Sequence, residues 1–310
     1  MDKRIRIAIC GDEDATEVVR NSLESIPLFK IVSIDNFREI EIIYWLYGKG
    51  PSMTKYFLSW IKKDPIIINH WIGSDVISEK EKNQQGFNRI RNFIQECIFR
   101  WKMKKGGLLN FAVSPWLVDE LSIMQIPATY LPITTIDIQK LGTVDQQPVK
   151  DIDFLSYALF RRFDFYGGDK IVKLADTWKN YTFLIILADL NSIPLDFVEK
   201  MPPNIIFSPR VHRDKMSEFY QRSKLFIRYT QHDGLSLSVL EALYYNLQVL
   251  WTYEFPYTSK IETLEKLSDS IPSLVENWQP NYGGHKYVIE NFSIERWKTN
   301  FLEIIQSKLH

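Results

Sequence analysis

The chain has 310 residues, 45% hydrophobic and 25% charged, which is the composition of a globular protein and a length that favours two domains. Because 38 lysine and arginine residues balance 38 aspartate and glutamate residues, the bulk charge gives no reason to expect a nucleic-acid partner. Two widely separated cysteines, Cys10 and Cys97, predict neither a disulfide framework nor a zinc site. No apolar stretch approaches the roughly 20 residues that cross a bilayer, and no signal-peptide pattern is present, so we expect a soluble, cytoplasmic protein.

Short apolar runs alternate with helix-like segments along the whole chain. The runs that we predict as strands are Ile5–Cys10, Phe29–Ile34, Ile40–Tyr47, Pro65–Trp71, Leu109–Val113, Ala128–Ile133, Phe154–Leu159, Phe183–Leu187, Ile205–Ser208, Leu225–Tyr229 and Val249–Tyr253. The segments that we predict as helices are Thr16–Ser25, Met53–Lys62, Gly86–Lys105, Trp116–Met124, Lys170–Asn180, Lys215–Ser223, Ser238–Tyr245 and Ser293–Lys308. Near-continuous apolar strands that alternate with helices are typical of parallel sheets covered on both faces. We therefore predict an α/β protein with two Rossmann-like layers.

A polar segment near the middle of the chain predicts the link between the domains. Leu141–Asp151 contains a proline and lacks an apolar period. We expect an N-terminal Rossmann-like domain over residues 1–145 and a C-terminal one over residues 151–290. The amphipathic helix in residues 291–310 should pack back on the N-terminal domain.

The stretch HDGLSLSVLE, residues 232–241, lies between a predicted strand and a predicted helix. Gly234 lets the backbone approach a ligand closely, and a helix N-terminus presents N–H groups that suit a phosphate. Asp233 could hold a sugar hydroxyl, and Glu241 could accept hydrogen bonds from a ribose. Ser238 and Glu241 also fit a Ser-x-x-Glu capping box. The spacing alone leaves capping and ligand binding open.

With its flanks, this stretch resembles the donor-site segment of retaining GT-B glycosyltransferases of the family-4 type. In that family an acid, a glycine and apolar residues lead to a Glu-Ala pair. Asp233 and Glu241 keep the spacing of the two acids, although aspartate replaces the usual glutamate and Ser236 the usual second glycine. Further segments that resemble the family occur in the family's order, at Ile66–Val76, Phe111–Leu117, Ile126–Ile133 and Ile205–Val211. Together the matches run from about residue 66 to residue 255.

The resemblance implies a GT-B fold, with two Rossmann-like domains that face a central cleft. It implies transfer of a sugar, with retention of configuration, from a nucleotide-sugar donor to a saccharide, lipid-linked or protein acceptor. Neither a cofactor nor a divalent metal is implied. Glu241 would bind the ribose and Asp233 the sugar. Backbone groups would bind phosphate or sugar at Gly234, Leu235, Ser236 and Leu237.

The diphosphate site departs from the family pattern of Gly-Arg followed by Lys-Gly. Arg161 takes the arginine position, but Tyr166 stands where the lysine is expected, so Arg162 or Lys170 would supply the second charge. A solvated strand end is the alternative for the two arginines. The departures favour a second hypothesis, a catalytically degenerate module that binds a sugar nucleotide or a protein. A nucleotide-sugar epimerase is a third.

His70 follows the apolar run Ile66–Asn69. From the residues alone it is most simply a hydrogen-bonded structural histidine, whereas the resemblance implies that His70 or its loop contacts the transferred sugar. Asp75 could cap the next helix or face the acceptor. The remaining histidines lack metal-site spacing, so we predict no metal site.

Residues 89–105 form a basic, aromatic-bearing segment with an amphipathic pattern. Such a segment could lie against an anionic membrane and give peripheral membrane contact. The alternative is an ordinary domain helix whose cations complement its C-terminal dipole.

Overall fold

The computed structural model describes residues 4–11, 13–36, 39–46, 65–84, 97, 99–101, 103–133, 141–144, 149–187, 195–212 and 215–309. The helix predicted at Met53–Lys62 lies outside these residues, as does most of the one predicted at Gly86–Lys105. The chain divides into two compact units. Unit 1 comprises Met1–Thr135 and Ile294–His310, and unit 2 comprises Ile136–Ser293.

Unit 1 contains a parallel sheet whose six described strands follow the order β2-β1-β3-β4-β5-β6. The strands are β1 (Ile5–Cys10), β2 (Phe29–Ile31), β3 (Ile42–Leu46), β4 (Ile66–Trp71), β5 (Leu108–Ala112) and β6 (Thr129–Tyr130). The helices are α1 (Glu13–Glu24), α2 (Ser74–Gln84), α3 (Pro115–Ile123) and the C-terminal helix (Ile294–Leu309). Isoleucine and leucine side chains of the central strands β3 and β4 are buried on both faces of the sheet. This burial explains why the sequences of these strands are largely apolar.

The C-terminal helix packs on the sheet of unit 1 through a fully buried phenylalanine. The ring of Phe301 lies 5.8 Å from the rings of Phe29 and Tyr44 and 6.4 Å from that of Phe111, between centroids. Trp297 stacks on Phe301 from one helical turn earlier, at 5.0 Å. Aromatic packing of this kind ties the end of the chain to its first strands.

Unit 2 contains a second parallel sheet, whose described strands follow the order β12-β11-β10-β7-β8-β9. The strands are β7 (Ile152–Ala158), β8 (Phe183–Leu187), β9 (Ile205–Pro209), β10 (Ser223–Arg228), β11 (Gln248–Trp251) and β12 (Thr258–Lys260). The helices are α4 (Gly168–Thr177), α5 (Leu195–Glu199), α6 (Met216–Arg222), α7 (Leu237–Tyr244), α8 (Leu264–Glu276) and α9 (Tyr282–Phe292), and a 3₁₀ turn spans Phe160–Arg162.

The strand order of unit 2 reverses between β7 and β10. From β7 the chain continues to β8 and β9 on one side, and then returns to place β10 and β11 on the other. Strands β7 and β10 pair directly, with Leu225 opposite Phe154 and Ile227 opposite Ser156. In open parallel sheets, ligands bind at the carboxyl ends of the strands at such a switch point. The segments after β7 and β10 are therefore the part of unit 2 in which a binding site is expected.

The predicted α/β class with two parallel sheets is confirmed. Helices α8 and α9 were missed because each contains residues that usually end helices, Pro272 in α8 and Gly283-Gly284 in α9. Both helices begin at a side-chain cap, since Thr263 accepts from the N–H of Lys266 and Asn281 from that of Gly284. Within the described ranges, no helix is both long and apolar enough to cross a bilayer.

Candidate functional site

Two loops meet at the switch point of unit 2. The β7 loop (residues 159–167) and the β10 loop (residues 229–236) touch through backbone and side-chain groups. Gly167 has φ 73°, and a Cβ at this position would lie 1.9 Å from the carbonyl oxygen of Tyr229. The N–H of Gln231 donates to the carbonyl of Phe165 at 3.0 Å. Only glycine allows this approach, so Gly167 fixes how the two loops pack.

Three cations follow β7: Arg161 and Arg162 in the 3₁₀ turn, and Lys170 in the first turn of α4. We call them the β7 cations. Both arginines are exposed, and the guanidinium of Arg162 lies 5.7 Å from the ring of Phe165. The Nζ of Lys170 contacts the carboxylate of Asp169 at 2.7 Å, and this hydrogen bond and charge raise the pKa of Lys170. The segment therefore presents positive charge at the carboxyl end of β7.

Helix α7 begins one residue earlier than the sequence predicts. This start tests whether Ser238 and Glu241 form a capping box. Its N-cap is Ser236, whose Oγ lies 2.9 Å from the Oγ of Ser238. Ser238 is the second residue of the helix and Glu241 the fifth, whereas a capping box requires the serine at the cap and the glutamate at the third helical position. The capping-box interpretation of Ser238 and Glu241 is therefore wrong.

Glu241 is a buried acid with a specific partner. It is 4% exposed, and its carboxylate accepts a hydrogen bond from the hydroxyl of Tyr220 at 3.1 Å. The ring of Tyr220 stacks on that of Tyr245, with centroids 5.5 Å apart. Burial, together with the nearby Tyr244 and Glu241, raises the pKa of Tyr245 to about 12, so this phenol stays neutral and donates to the carbonyl of Leu141.

Asp233 forms a two-bond pair with an arginine that sequence reasoning missed. The Nε and Nη2 of Arg228 donate to the two carboxylate oxygens at 2.8 and 3.2 Å. The two side chains are only 9% and 13% exposed, and the guanidinium carbon lies 5.0 Å from the ring centroid of Tyr166. The N–H of Asp233 donates to the hydroxyl of Tyr253 at 3.1 Å. The only sequence signal for this pair is a charged residue at the end of the apolar run Leu225–Ile227.

The residues between Asp233 and α7 carry the chain from the β10 loop into the helix. Gly234, Leu235 and Ser236 are buried, and Leu237 is half-buried as the first helical residue. The first N–H groups of an α-helix have no acceptor within the helix. These N–H groups form the positive end of the α7 dipole, which follows Asp233 in the chain by four residues.

His70 belongs to unit 1, where its ring is fully buried at the end of β4. Its Nε2 lies 2.6 Å from the carbonyl oxygen of Leu131, and its Nδ1 lies 2.6 Å from the hydroxyl of Tyr44. Since a carbonyl only accepts, Nε2 carries the proton and Nδ1 accepts from Tyr44. Burial lowers the pKa of His70 to about 3. Both ring nitrogens are therefore engaged inside the unit, and a ligand could bind the ring only by displacing one of these partners.

Asp75 also makes its contacts locally. One carboxylate oxygen accepts from the N–H groups of Ile72, Gly73 and Val76, and the other accepts from Ile72. Asp75 is the second residue of α2, so it is not the N-cap of this helix; its carboxylate instead holds the turn at Ile72 and Gly73 that leads into the helix.

The basic segment 89–105 is described only at residue 97 and residues 99–101 and 103–105. There Trp101 is 46% exposed, and the Nζ of Lys105 lies 4.3 Å from its ring centroid. The predicted membrane contact of the remaining residues lies outside the described part of the chain. Across the described residues, no group of three or more histidine, cysteine, aspartate or glutamate side chains could hold a metal ion.

No protein-family model matches the sequence, and no curated protein matches it. Solved structures are similar to it. The pneumococcal O-GlcNAc transferase GtfA, in complex with UDP and GlcNAc, matches 87% of this chain with a TM-score of 0.57 and 11% identity, and the chain spans 57% of its length.

Two smaller proteins match along nearly their whole length. A glycosyltransferase from Rickettsia africae ESF-5 has a TM-score of 0.69 at 12% identity, with 100% of this chain and 99% of that chain covered. Sucrose-phosphate synthase from Thermosynechococcus elongatus has a TM-score of 0.67 at 11% identity, with 98% and 99% covered. At these identities the likeness shows the fold, and the chain has the GT-B fold of these glycosyltransferases.

The buried ring of His70 predicts that acid destabilises the protein. The pKa of this group is about 6.5 in the unfolded chain and about 3 in the folded one, so the unfolded state binds more protons between these values. Stability should fall as the pH decreases through this window, by about 1.4 kcal/mol per pH unit from this group. Chemical unfolding between pH 7 and pH 4 measures the slope.

His70→Gln should show a shallower slope than the wild type, because its side chain does not titrate. His212→Gln is the control, since His212 is exposed, and it should follow the wild type. Parallel curves for His70→Gln and the wild type would contradict a buried, neutral His70.

The approach of Gly167 to Tyr229 predicts that a single methyl group destabilises unit 2. Gly167→Ala should incur backbone strain of about 1–2 kcal/mol and roughly 1–3 kcal/mol more from the clash with the carbonyl. Gly106→Ala is a matched control, because Gly106 has nearly the same φ, 71°, but no atom within 4 Å of an added Cβ. Chemical unfolding should therefore show a larger loss for Gly167→Ala, and equal losses would contradict the contact.

Proposed function

We propose that this protein is a glycosyltransferase that transfers a sugar, with retention of configuration, from a nucleotide-sugar donor to a saccharide, lipid-linked or protein acceptor. The observation that carries the proposal is the convergence at the switch point of unit 2. There the β7 loop with its cations packs on the β10 loop, which leads into the N-terminus of α7 and the buried acid Glu241. The GT-B fold supports the same activity.

Each group suits one part of a nucleotide-sugar. The β7 cations, above all Arg161 and Arg162, would bind the diphosphate together with the first N–H groups of α7. Glu241, oriented by Tyr220, would accept hydrogen bonds from the ribose hydroxyls. Asp233 would contact the transferred sugar. The similarity to GtfA, described with UDP and GlcNAc, supports a nucleoside diphosphate as the leaving group.

In the reaction, the anomeric carbon forms a bond to the acceptor oxygen as its bond to the diphosphate breaks, and the proton of the acceptor hydroxyl passes to the departing diphosphate. Negative charge develops on the departing phosphate oxygen. The positive groups at the end of β7 and the positive end of the α7 dipole would stabilise this charge. The proposal includes neither a divalent metal nor a cofactor, and it assigns no nucleophile.

Unit 1 would carry the acceptor. Because the ring of His70 is enclosed, we propose that the loop after it, and not the ring, contacts the sugar. We also propose a cytoplasmic protein with peripheral membrane contact through residues 89–105, where Trp101 and Lys105 are exposed.

A second candidate is a degenerate module that binds a sugar nucleotide without turnover. The packing of Tyr166 against Arg228 favours it, because the position at which the family has a lysine is occupied by a ring engaged with another side chain. A thermal-shift panel of UDP-, GDP- and ADP-sugars, followed by an assay for released nucleoside diphosphate, separates the candidates. Stabilisation with release on addition of acceptors supports the transferase, and stabilisation without release supports the module. No stabilisation by any donor would contradict both.

The role of Glu241 predicts a specific loss of nucleotide affinity. Hydrogen bonds to a charged group contribute about 1.5–3 kcal/mol, so Glu241→Ala should weaken nucleoside diphosphate binding by about 10- to 100-fold. Isothermal titration calorimetry measures this change.

Tyr220→Phe is the matched variant, because it removes the hydroxyl that contacts Glu241 but keeps the carboxylate. It should weaken nucleotide binding less than Glu241→Ala does. If Glu241→Ala lowers the melting temperature but leaves nucleotide affinity unchanged, Glu241 is only a packing residue.

A further inference from the structure

Arg228 places a charged group where the fold otherwise buries apolar side chains. It ends β10 directly after Leu225, Phe226 and Ile227, all of them buried, and its own side chain is 9% exposed. Removing a guanidinium from water is costly unless a partner compensates for the lost hydration. The guanidinium of Arg228 therefore needs an acceptor that lies in a defined position at the end of β10.

Asp233 is that partner, and it forms a bidentate pair with Arg228, which we call a fork. Two nitrogens of Arg228 each donate to a different oxygen of the carboxylate, and the ring of Tyr166 covers the guanidinium. Burial lowers the pKa of Arg228, but the charge and hydrogen bonds of Asp233, together with smaller contributions from Tyr166 and Tyr157, raise this pKa above its usual value. A pair of this kind fixes the plane of the carboxylate as well as its position.

The pair is a poor site for a diphosphate. Its two charges cancel, and Asp233 would repel an anion that approached Arg228. Arg161 and Arg162, by contrast, are exposed at the end of the neighbouring strand, whereas Lys170 is itself paired with Asp169. Each carboxylate oxygen has two lone pairs, so an oxygen that accepts from Arg228 can still accept from a neutral hydroxyl. The chemistry of the pair therefore suits a sugar hydroxyl.

We propose that Arg228 is a positioning residue that orients the carboxylate of Asp233 for the hydroxyl groups of the donor sugar, so that the pair determines which sugar the enzyme accepts. This inference rests on the proposed function, since it requires a nucleotide-sugar in unit 2. It separates two roles at the switch point. The β7 cations and Glu241 bind the nucleotide, and Arg228 acts on the sugar through Asp233.

Arg228→Lys tests the proposal, because lysine keeps the charge but cannot form the fork. Titration calorimetry should show unchanged affinity for the nucleoside diphosphate and roughly 10-fold weaker binding of the nucleotide-sugar, the size of one lost charged hydrogen bond. The ratio of kcat/KM between donors that are epimers at one sugar hydroxyl should also fall by about 10-fold. A purely structural ion pair would leave that ratio unchanged.

The chain provides a matched control at the opposite edge of the same sheet. Arg222 forms a similar fork with Asp151, through Nε at 2.9 Å and Nη2 at 2.5 Å, at the amino ends of β10 and β7. Arg222→Lys should change neither affinity nor donor preference. If Arg228→Lys does not fold, Arg228→Gln keeps an amide NH2 group that can donate to Asp233 but removes the charge, and the affinities for nucleoside diphosphate and nucleotide-sugar are compared in the same way.

The outcomes are distinct. Equal weakening of nucleoside diphosphate and nucleotide-sugar would mean that Arg228 grips the diphosphate, and would overturn the proposal. Unchanged binding and unchanged donor preference would also overturn it, since Arg228 would then only stabilise the fold. If the wild type binds neither ligand, the proposed function fails and this inference fails with it.

Discussion

The contact between Gly167 and the carbonyl of Tyr229 is the constraint on which the candidate site depends. The strand order of unit 2 makes β7 and β10 neighbours although they are distant in sequence, so their loops leave the sheet side by side. A side chain at Gly167 would separate them. Because none is present, the cations after β7 and the acids after β10 lie on segments that pack against each other.

The two acids of the motif occupy different environments, which suits them to different tasks. Glu241 lies inside α7 and accepts from the neutral phenol of Tyr220, whereas Asp233 lies in the β10 loop and is paired with the guanidinium of Arg228. Glu241 thus accepts from a neutral phenol, whereas Asp233 is paired with a cation. The spacing of the two acids in the sequence gives no sign of this difference, because Tyr220 lies in another helix and Arg228 in the strand before the loop.

The sequence predicted the fold well because hydrophobic periodicity is a local property. The apolar runs identified nearly all strands of both sheets, and their alternation with helices gave the α/β class. The acids and the cations that we propose as the site of unit 2 were also named from the sequence, whereas the partners of the acids were not. Arg228 resembles an ordinary strand end, and Tyr220 contacts Glu241 only through the packing of α6 on α7. The predicted capping box was wrong because α7 begins at Leu237. A sequence pattern locates the start of a helix only to within one or two residues.

We propose that the two loops at the switch point of unit 2 bind a nucleoside diphosphate. Amide hydrogen exchange, measured with saturating UDP, GDP or ADP and without nucleotide, tests it most directly. We expect slower exchange in residues 159–170 and 229–241 with at least one of these nucleotides. No change in either segment with any of the three, or protection confined to unit 1, would contradict it.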